Sequence, residues 1–190
     1  MNSDERGEDR ARLARAWRAA AGNAEVGAAL MEIYARCEAA VRERGPACWA
    51  SGRCCNFERA GHRLYVTGLE AAWTVLRVEA ERSGGSGRTG DEAKGGGVSL
   101  PVLSGAAIDA ARASGGCPFQ RANLCGVHGV RPLGCRVYFC DRSAQQWQQD
   151  LYEGLLREVR AVHDRFGIEY RYGEWRSMLE TISADPDRVS

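Results

Sequence analysis

Seven of the eight cysteines fall in two short blocks. The first, residues 47–57, reads ACWASGRCCNF and holds Cys48, Cys54 and Cys55. The second, residues 117–140, reads CPFQRANLCGVHGVRPLGCRVYFC and holds Cys117, Cys125, Cys135 and Cys140. Thiolate sulfur is soft and anionic, so four converging thiolates suit zinc or an iron–sulfur cluster. Structural zinc sites usually draw their ligands from CxxC knuckles, and none is present here. The spacing Cys117-x7-Cys125-x9-Cys135-x4-Cys140 is looser than a zinc ribbon and leans toward an iron–sulfur cluster. Cys117-Pro118 adds little to that. Cys54 and Cys55 are consecutive, so an extended backbone would point their side chains opposite ways. Seven thiols exceed one four-ligand set. A second site would need another ligand, and His128 is nearest in sequence, though an imidazole bonded to backbone or water is the simpler reading. His62 and His163 stand alone and read as non-ligands.

Charge and compartment bear on the same blocks. Residues 47–66 and 117–142 hold seven arginines against Glu58 and Asp141, while the whole chain is +1. Nearby guanidinium groups lower thiol pKa values and offset the charge of thiolate-bound metal. The balance of the chain gives no global drive toward nucleic acid, and the interleaved aromatics make only a modest patch. The first residues are densely charged with both signs and lack the apolar run of a secretory signal. A cytoplasmic location follows as the expectation, and thiols there stay reduced, which favours ligation over a disulfide framework. Inert packing would explain one or two cysteines, not seven in two tight blocks. A nucleophilic thiol needs a base beside it, which sequence alone does not place.

The segment Cys48-Trp49-Ala50-Ser51-Gly52-Arg53-Cys54-Cys55 resembles the CxxCxxCC motif of the bacterial cysteine-cluster proteins, the YkgJ family, known as zinc- or iron-chelating domains. The second block is similar to the same family's downstream signature through Cys117-Pro118-Phe119, Cys125, Arg131-Pro132, Cys135-Arg136 and Cys140. Ser51 stands where the motif has its second cysteine. A four-cysteine site inside the first block is therefore impossible, and any such site must recruit the second. The resemblance implies metal binding through Cys48, Cys54, Cys55, Cys117, Cys125, Cys135 and Cys140, in a structural or electron-transfer role. A flagellin lysine methylase is similar over the motif, which implies as the alternative an enzyme modifying protein side chains. No nucleotide-binding glycine loop follows a strand: the glycines at 84–97 follow a helix and lack GxGxxG.

The elements that must position these blocks are mostly helices. With 190 residues, 44% apolar and 27% charged, the chain is long enough to bury a core without covalent staples. No stretch approaches the 18 apolar residues of a membrane span. Residues 3–22 read as a helix with Leu13 and Trp17 inward, broken by Gly22-Asn23. Val26, Leu30, Ile33, Tyr34, Cys37 and Val41 form the stripe of a second helix, ended by Gly45-Pro46, with Cys37 as core packing. Leu64–Val66 reads as a short strand. Thr67 and Glu70 form a capping box, and Leu69, Trp73, Leu76 and Ala80 give the apolar face behind it. Residues 83–97, with seven glycines, read as a flexible insertion. Ser104–Ala113 is helical with Ile108 inward. Ser143-x-x-Gln146 opens the strongest helix, with its stripe at Trp147, Leu151, Leu155, Val159, Val162 and Phe166 and its stop at Gly167. Residues 168–172 alternate as a strand, and Trp175, Met178, Leu179 and Ile182 fit a last helix. The expectation is a mainly α fold, helices around loop-borne cysteine blocks, with at most a few short strands. Helices at 1–46 precede a cysteine-cluster domain at 47–182, with a tail at 183–190.

Overall fold

The computed structural model describes residues 3–47, 52–84 and 103–184. The glycine-rich insertion beyond residue 84, Cys48 and the tail beyond residue 184 lie outside the described residues. The protein is mainly α-helical, with two small two-stranded sheets among the described residues. Helix α1 (Ser3–Gly22) is followed at once by α2 (Ala24–Arg44). Asn23 makes that junction: its Oδ1 accepts from the Glu25 N–H at 2.8 Å and the Val26 N–H at 3.2 Å, pairing two donors that no helical carbonyl can reach. Gly45, left-handed at φ 61°, closes α2. The stripe from Val26 to Cys37 is buried as its spacing requires.

A single turn, α3 (Phe57–Ala60), leads to strand β1 (Tyr65–Thr67), which runs directly into α4 (Gly68–Gly84). Helix α5 (Gly105–Ala113) begins at the Ser104 cap and buries Ile108. The second cysteine block is not a bare loop. It folds into the hairpin β2 (Gln120–Arg121) and β3 (Leu124–Cys125), then a 3-10 turn at His128–Val130, then the short helix α6 (Leu133–Val137). Helix α7 (Gln145–Phe166), strand β4 (Tyr172–Glu174) and α8 (Trp175–Ser183) complete the chain. Helices α1, α4 and α8 pack on one another, while α2 packs on α6 and α7. Leu13, Trp17, Leu30, Leu69, Leu155 and Leu179 share one hydrophobic cluster with Phe119, Val127 and Leu133 of the cysteine-bearing segment. The Trp17 indole donates to the Glu169 carbonyl at 2.8 Å, and a Cβ at Gly68 would meet its ring at 2.4 Å. Only glycine lets the start of α4 approach so closely.

Three local readings are corrected. Helix α4 is not one-faced. Ala71, Ala72, Thr74, Val75 and Val78 are buried beside Leu69 and Trp73, whereas Ala80 is exposed. The cause is that α4 is covered by α1 and α8 and also by the His128–Val130 turn, whose Val130 carbonyl accepts from Thr74 Oγ1 at 2.8 Å. The Ser143–Gln146 capping box does not form. Asp141 accepts from the Ser143 N–H at 2.9 Å and from its hydroxyl at 2.7 Å, which draws Arg142–Ala144 into a 3-10 turn and starts α7 at Gln145. The last strand covers 172–174 and not 168–172. Its partner β1, paired Thr67↔Tyr172 and Tyr65↔Glu174, turns into α4 immediately after Thr67 and leaves nothing to extend the ladder.

Candidate metal centre

The two cysteine blocks are stitched together through backbone. The Cys117 N–H donates to the Cys55 carbonyl at 2.8 Å, Asn56 and Gly116 form an antiparallel bridge, and Gln120 Nε2 donates to the Gly52 carbonyl at 3.0 Å. Gly52 has φ 69°, and a Cβ there would lie 2.7 Å from the Asn123 carbonyl oxygen. The seam thus depends on a residue without a side chain at the center of the first block. Arg53–Cys55 is a 3-10 turn and not extended chain, so Cys54 and Cys55 do not diverge as extended residues would. On the other side of the seam, Ala122 and Asn123, both at positive φ, form the two-residue turn that sets Gln120 opposite Cys125. Pro132 precedes α6, which carries Cys135. The Phe139 N–H donates to Gln148 Oε1 at 2.8 Å and ties the Cys140 strap to α7.

Within this frame the Cys55 thiol is a neighbour of those of Cys117, Cys125 and Cys54, which come from both blocks. The pKa of the Cys55 thiol is raised by its neighbours Cys117, Cys125 and Cys54. Contact with Cys55 brings Cys54 down to about 6 and Cys125 down to about 7, and lowers Cys117. Cys117 also accepts from the buried Trp175 indole at 3.4 Å. Burial pushes the Cys135 thiol well up, and the neighbouring sulfurs of Cys117 and Cys125 add to that. The donor set is soft sulfur drawn from both blocks, a chemistry that fits zinc or an iron–sulfur cluster. Its contacts radiate from Cys55 and do not ring a common centre. Among the described residues no group of three or more cysteine, histidine or acidic side chains is arranged to hold a metal ion as it stands.

Of the seven block cysteines, Cys54, Cys117 and Cys125 each neighbour Cys55, Cys135 is close enough to feel the charge of Cys117 and Cys125, and Cys140 lines the same hollow. Cys37 lies in the core, fully buried, with its thiol pushed up to about 11 by burial. His128 is exposed, and His163 is buried against the Ile168 carbonyl at 3.2 Å. The arginines serve different ends. Arg131 is the cation that acts on Cys54, Cys125 and Cys135. Arg136 is structural: buried, it bonds the Arg131 and Gly129 carbonyls at 2.8 Å each, pairs with Glu38, and lies 4.3 Å over the Tyr34 ring. Arg121 turns back onto the Pro118 and Gln120 carbonyls.

Beside the sulfurs opens a cavity of about 540 Å³, bordered by Cys54, Cys55, Cys125, Cys135 and Cys140. His62, read from the sequence as isolated, is part of its wall, stacked on Tyr138 with ring centres 4.4 Å apart. Sequence reasoning also missed Trp175, Gln120 and Gly52 as site residues. Trp175 read as helix packing, and nothing in its spacing links it to Cys117, 58 positions away. Gly52 did carry a signal, a glycine inside the motif, whose meaning depended on where the second block lands. In comparisons with protein-family models, curated proteins and solved structures nothing matches the chain, so the site has to be read from its own chemistry.

Proposed function

We propose that this is a metal-binding cysteine-cluster protein, holding an iron–sulfur cluster or zinc through cysteines of both blocks, in a structural or electron-transfer role. The observation that carries the reading is the seam that brings the blocks together, with the Cys117 N–H on the Cys55 carbonyl at 2.8 Å and Cys54, Cys55, Cys125 and Cys135 bordering one cavity. Four neighbouring sulfurs cannot all ionise alone, because like charges repel, and a bound cation removes that conflict. Cys55, Cys117 and Cys125 would hold the group, with a fourth ligand from Cys54 or Cys135. Cys48 and Cys140 stand as further candidates, Cys48 on its motif position alone. Zinc would supply a rigid crosslink between the blocks, and an iron–sulfur cluster would supply a one-electron redox couple. Trp175 would orient Cys117 and neutralise part of its charge through the indole N–H. The resemblance to the cysteine-cluster family points the same way.

A second reading has its own observation. The hollow beside the thiols is within the size range of small-molecule sites. A closed structural centre has no need of such a space, so an enzyme acting at this wall, on a protein side chain or through a reactive thiol, is the alternative. Anaerobic purification followed by a visible absorption spectrum and metal analysis tests the leading proposal. The expected result is a stoichiometric metal or cluster that is lost in Cys55→Ala and Cys117→Ala and kept in Cys37→Ala. Reduced protein that neither carries zinc or iron nor takes them up would overturn it.

A further inference from the structure

The cavity beside the thiols has an unusual balance of charge. Its wall includes Arg53, Arg63, Arg131 and Arg142, and among the described residues no aspartate or glutamate lines it. Arg53, Arg63 and Arg142 are exposed, and none of the four makes an ion pair with a carboxylate among the described residues. Thiolate charge accounts for Arg131, which acts on three of the cysteines. It does not account for Arg53, Arg63 and Arg142, which are not among the main influences on those thiols. Two buried wall atoms, Arg131 Nε and His62 Nδ1, have no hydrogen-bond partner among the described residues. A buried guanidinium N–H without an acceptor is costly unless a ligand supplies one.

The rest of the wall is aromatic. His62 stacks on Tyr138, and Tyr65 stacks on Tyr172 with ring centres 5.7 Å apart. The Tyr152 and Tyr172 hydroxyls hydrogen-bond each other at 2.7 Å. Flat side chains leave slots that accept another flat ring, and guanidinium groups bind carboxylate or phosphate with paired hydrogen bonds. A volume near 540 Å³ suits a small molecule and not a duplex or a folded partner.

We infer that this cavity is a binding site for a small aromatic oxyanion, a phosphate or carboxylate carried on a planar ring, with Arg131, Arg63, Arg142 and Arg53 holding the anion and the tyrosine and histidine faces holding the ring. The site stands whether or not the thiols hold metal, because its anion-binding residues are not the cysteines.

Calorimetric titration of the reduced full-length protein with phenyl phosphate, benzoate and inorganic phosphate tests this, with metal content measured on each sample. Phenyl phosphate or benzoate should bind with Kd below about 1 mM, and inorganic phosphate more weakly, since it lacks the ring. The preferred member of the first pair tells phosphate from carboxylate. In R63Q/R142Q the Kd should rise about tenfold or more, the loss of one to two charge-assisted hydrogen bonds. Q145E should weaken binding similarly. It places a carboxylate in the acid-free wall at the first residue of α7, where the helix dipole favours it, so the fold is not harmed. R157Q, exposed on α7 away from the cavity, should bind as wild type. The inference is overturned if no aromatic anion binds at about 10 mM, if R63Q/R142Q and Q145E bind as well as wild type, or if R157Q loses as much. It is also overturned if a single-stranded oligonucleotide binds through these arginines while phenyl phosphate does not. Loss of anion binding with metal retained refutes this site alone, and anion binding by reduced protein that neither carries nor takes up zinc or iron refutes only the metal reading.

Discussion

Glu70 offers the sharpest test of how the cysteine segment is positioned. It is almost fully buried and sits in the first turn of α4. One carboxylate oxygen accepts from the Thr67 N–H and the Thr67 hydroxyl, each at 3.1 Å. The other accepts from the Leu133 N–H at 2.9 Å and from the Tyr34 hydroxyl at 3.4 Å. The group thus caps α4, caps α6 and reaches α2. Glu70→Gln preserves shape but turns one oxygen into an NH2 that must face a backbone N–H, of either Thr67 or Leu133. A buried donor left without an acceptor costs ~1–3 kcal/mol. Glu70→Ala leaves both backbone donors unpaired and adds a cavity, for ~3 kcal/mol or more. Urea denaturation followed by circular dichroism measures both, and the slope of the transition should stay unchanged. Burial raises the Glu70 pKa above its ordinary 4.5. A raised carboxylate pKa contributes stability that is full below the unfolded value and lost as pH rises through the folded one. Gln does not titrate, so the advantage of wild type over Glu70→Gln should shrink as pH is raised from about 4.5 upward. An E70Q protein within ~0.5 kcal/mol of wild type at every pH would refute the claim that Glu70 couples the two helix starts.

Four further outcomes follow from the same geometry. Cys37→Ala should leave metal content unchanged and cost ~1–2 kcal/mol through a small cavity, and in the metal-free reduced protein iodoacetamide should modify exposed Cys54 well before Cys37. Gly52→Ala should cost ~1 kcal/mol or more from its left-handed backbone and the contact with Asn123, and should weaken metal retention in a competition assay with a chelator. Trp175→Phe keeps the packing but removes the donor to Cys117, so metal affinity should fall by about tenfold, and an unchanged affinity would detach the indole from the site. Hydrogen exchange should show residues 52–66 and 117–140 loosening when metal is removed under reducing conditions, while 24–44 and 145–166 persist. Equal protection in both forms would mean that the metal does not hold the segments.

Local order was legible where a short-range rule governs it. Asn23, Gly45 and Gly167 end or begin helices because each meets an orphan backbone group within four residues of itself. The stripe through Cys37 is buried because its spacing returns every turn to one side. The Thr67–Glu70 box forms as its spacing requires. Where two short-range rules competed, the outcome was not legible: Asp141 took the Ser143 N–H and displaced the capping box expected at α7. The sequence by itself determined that this is a mainly helical chain with two thiol-rich segments, and that Ser51 denies the first block a full ligand set. The rest depended on approach between distant residues. The second oxygen of Glu70 finds Leu133, Gly52 finds Asn123, Trp175 finds Cys117, and Arg131, not Arg136, faces the sulfurs. No periodicity encodes those meetings. They arise because α4 is enclosed by helices on one side and by the cysteine segment on the other, and that enclosure exists only once the chain has folded.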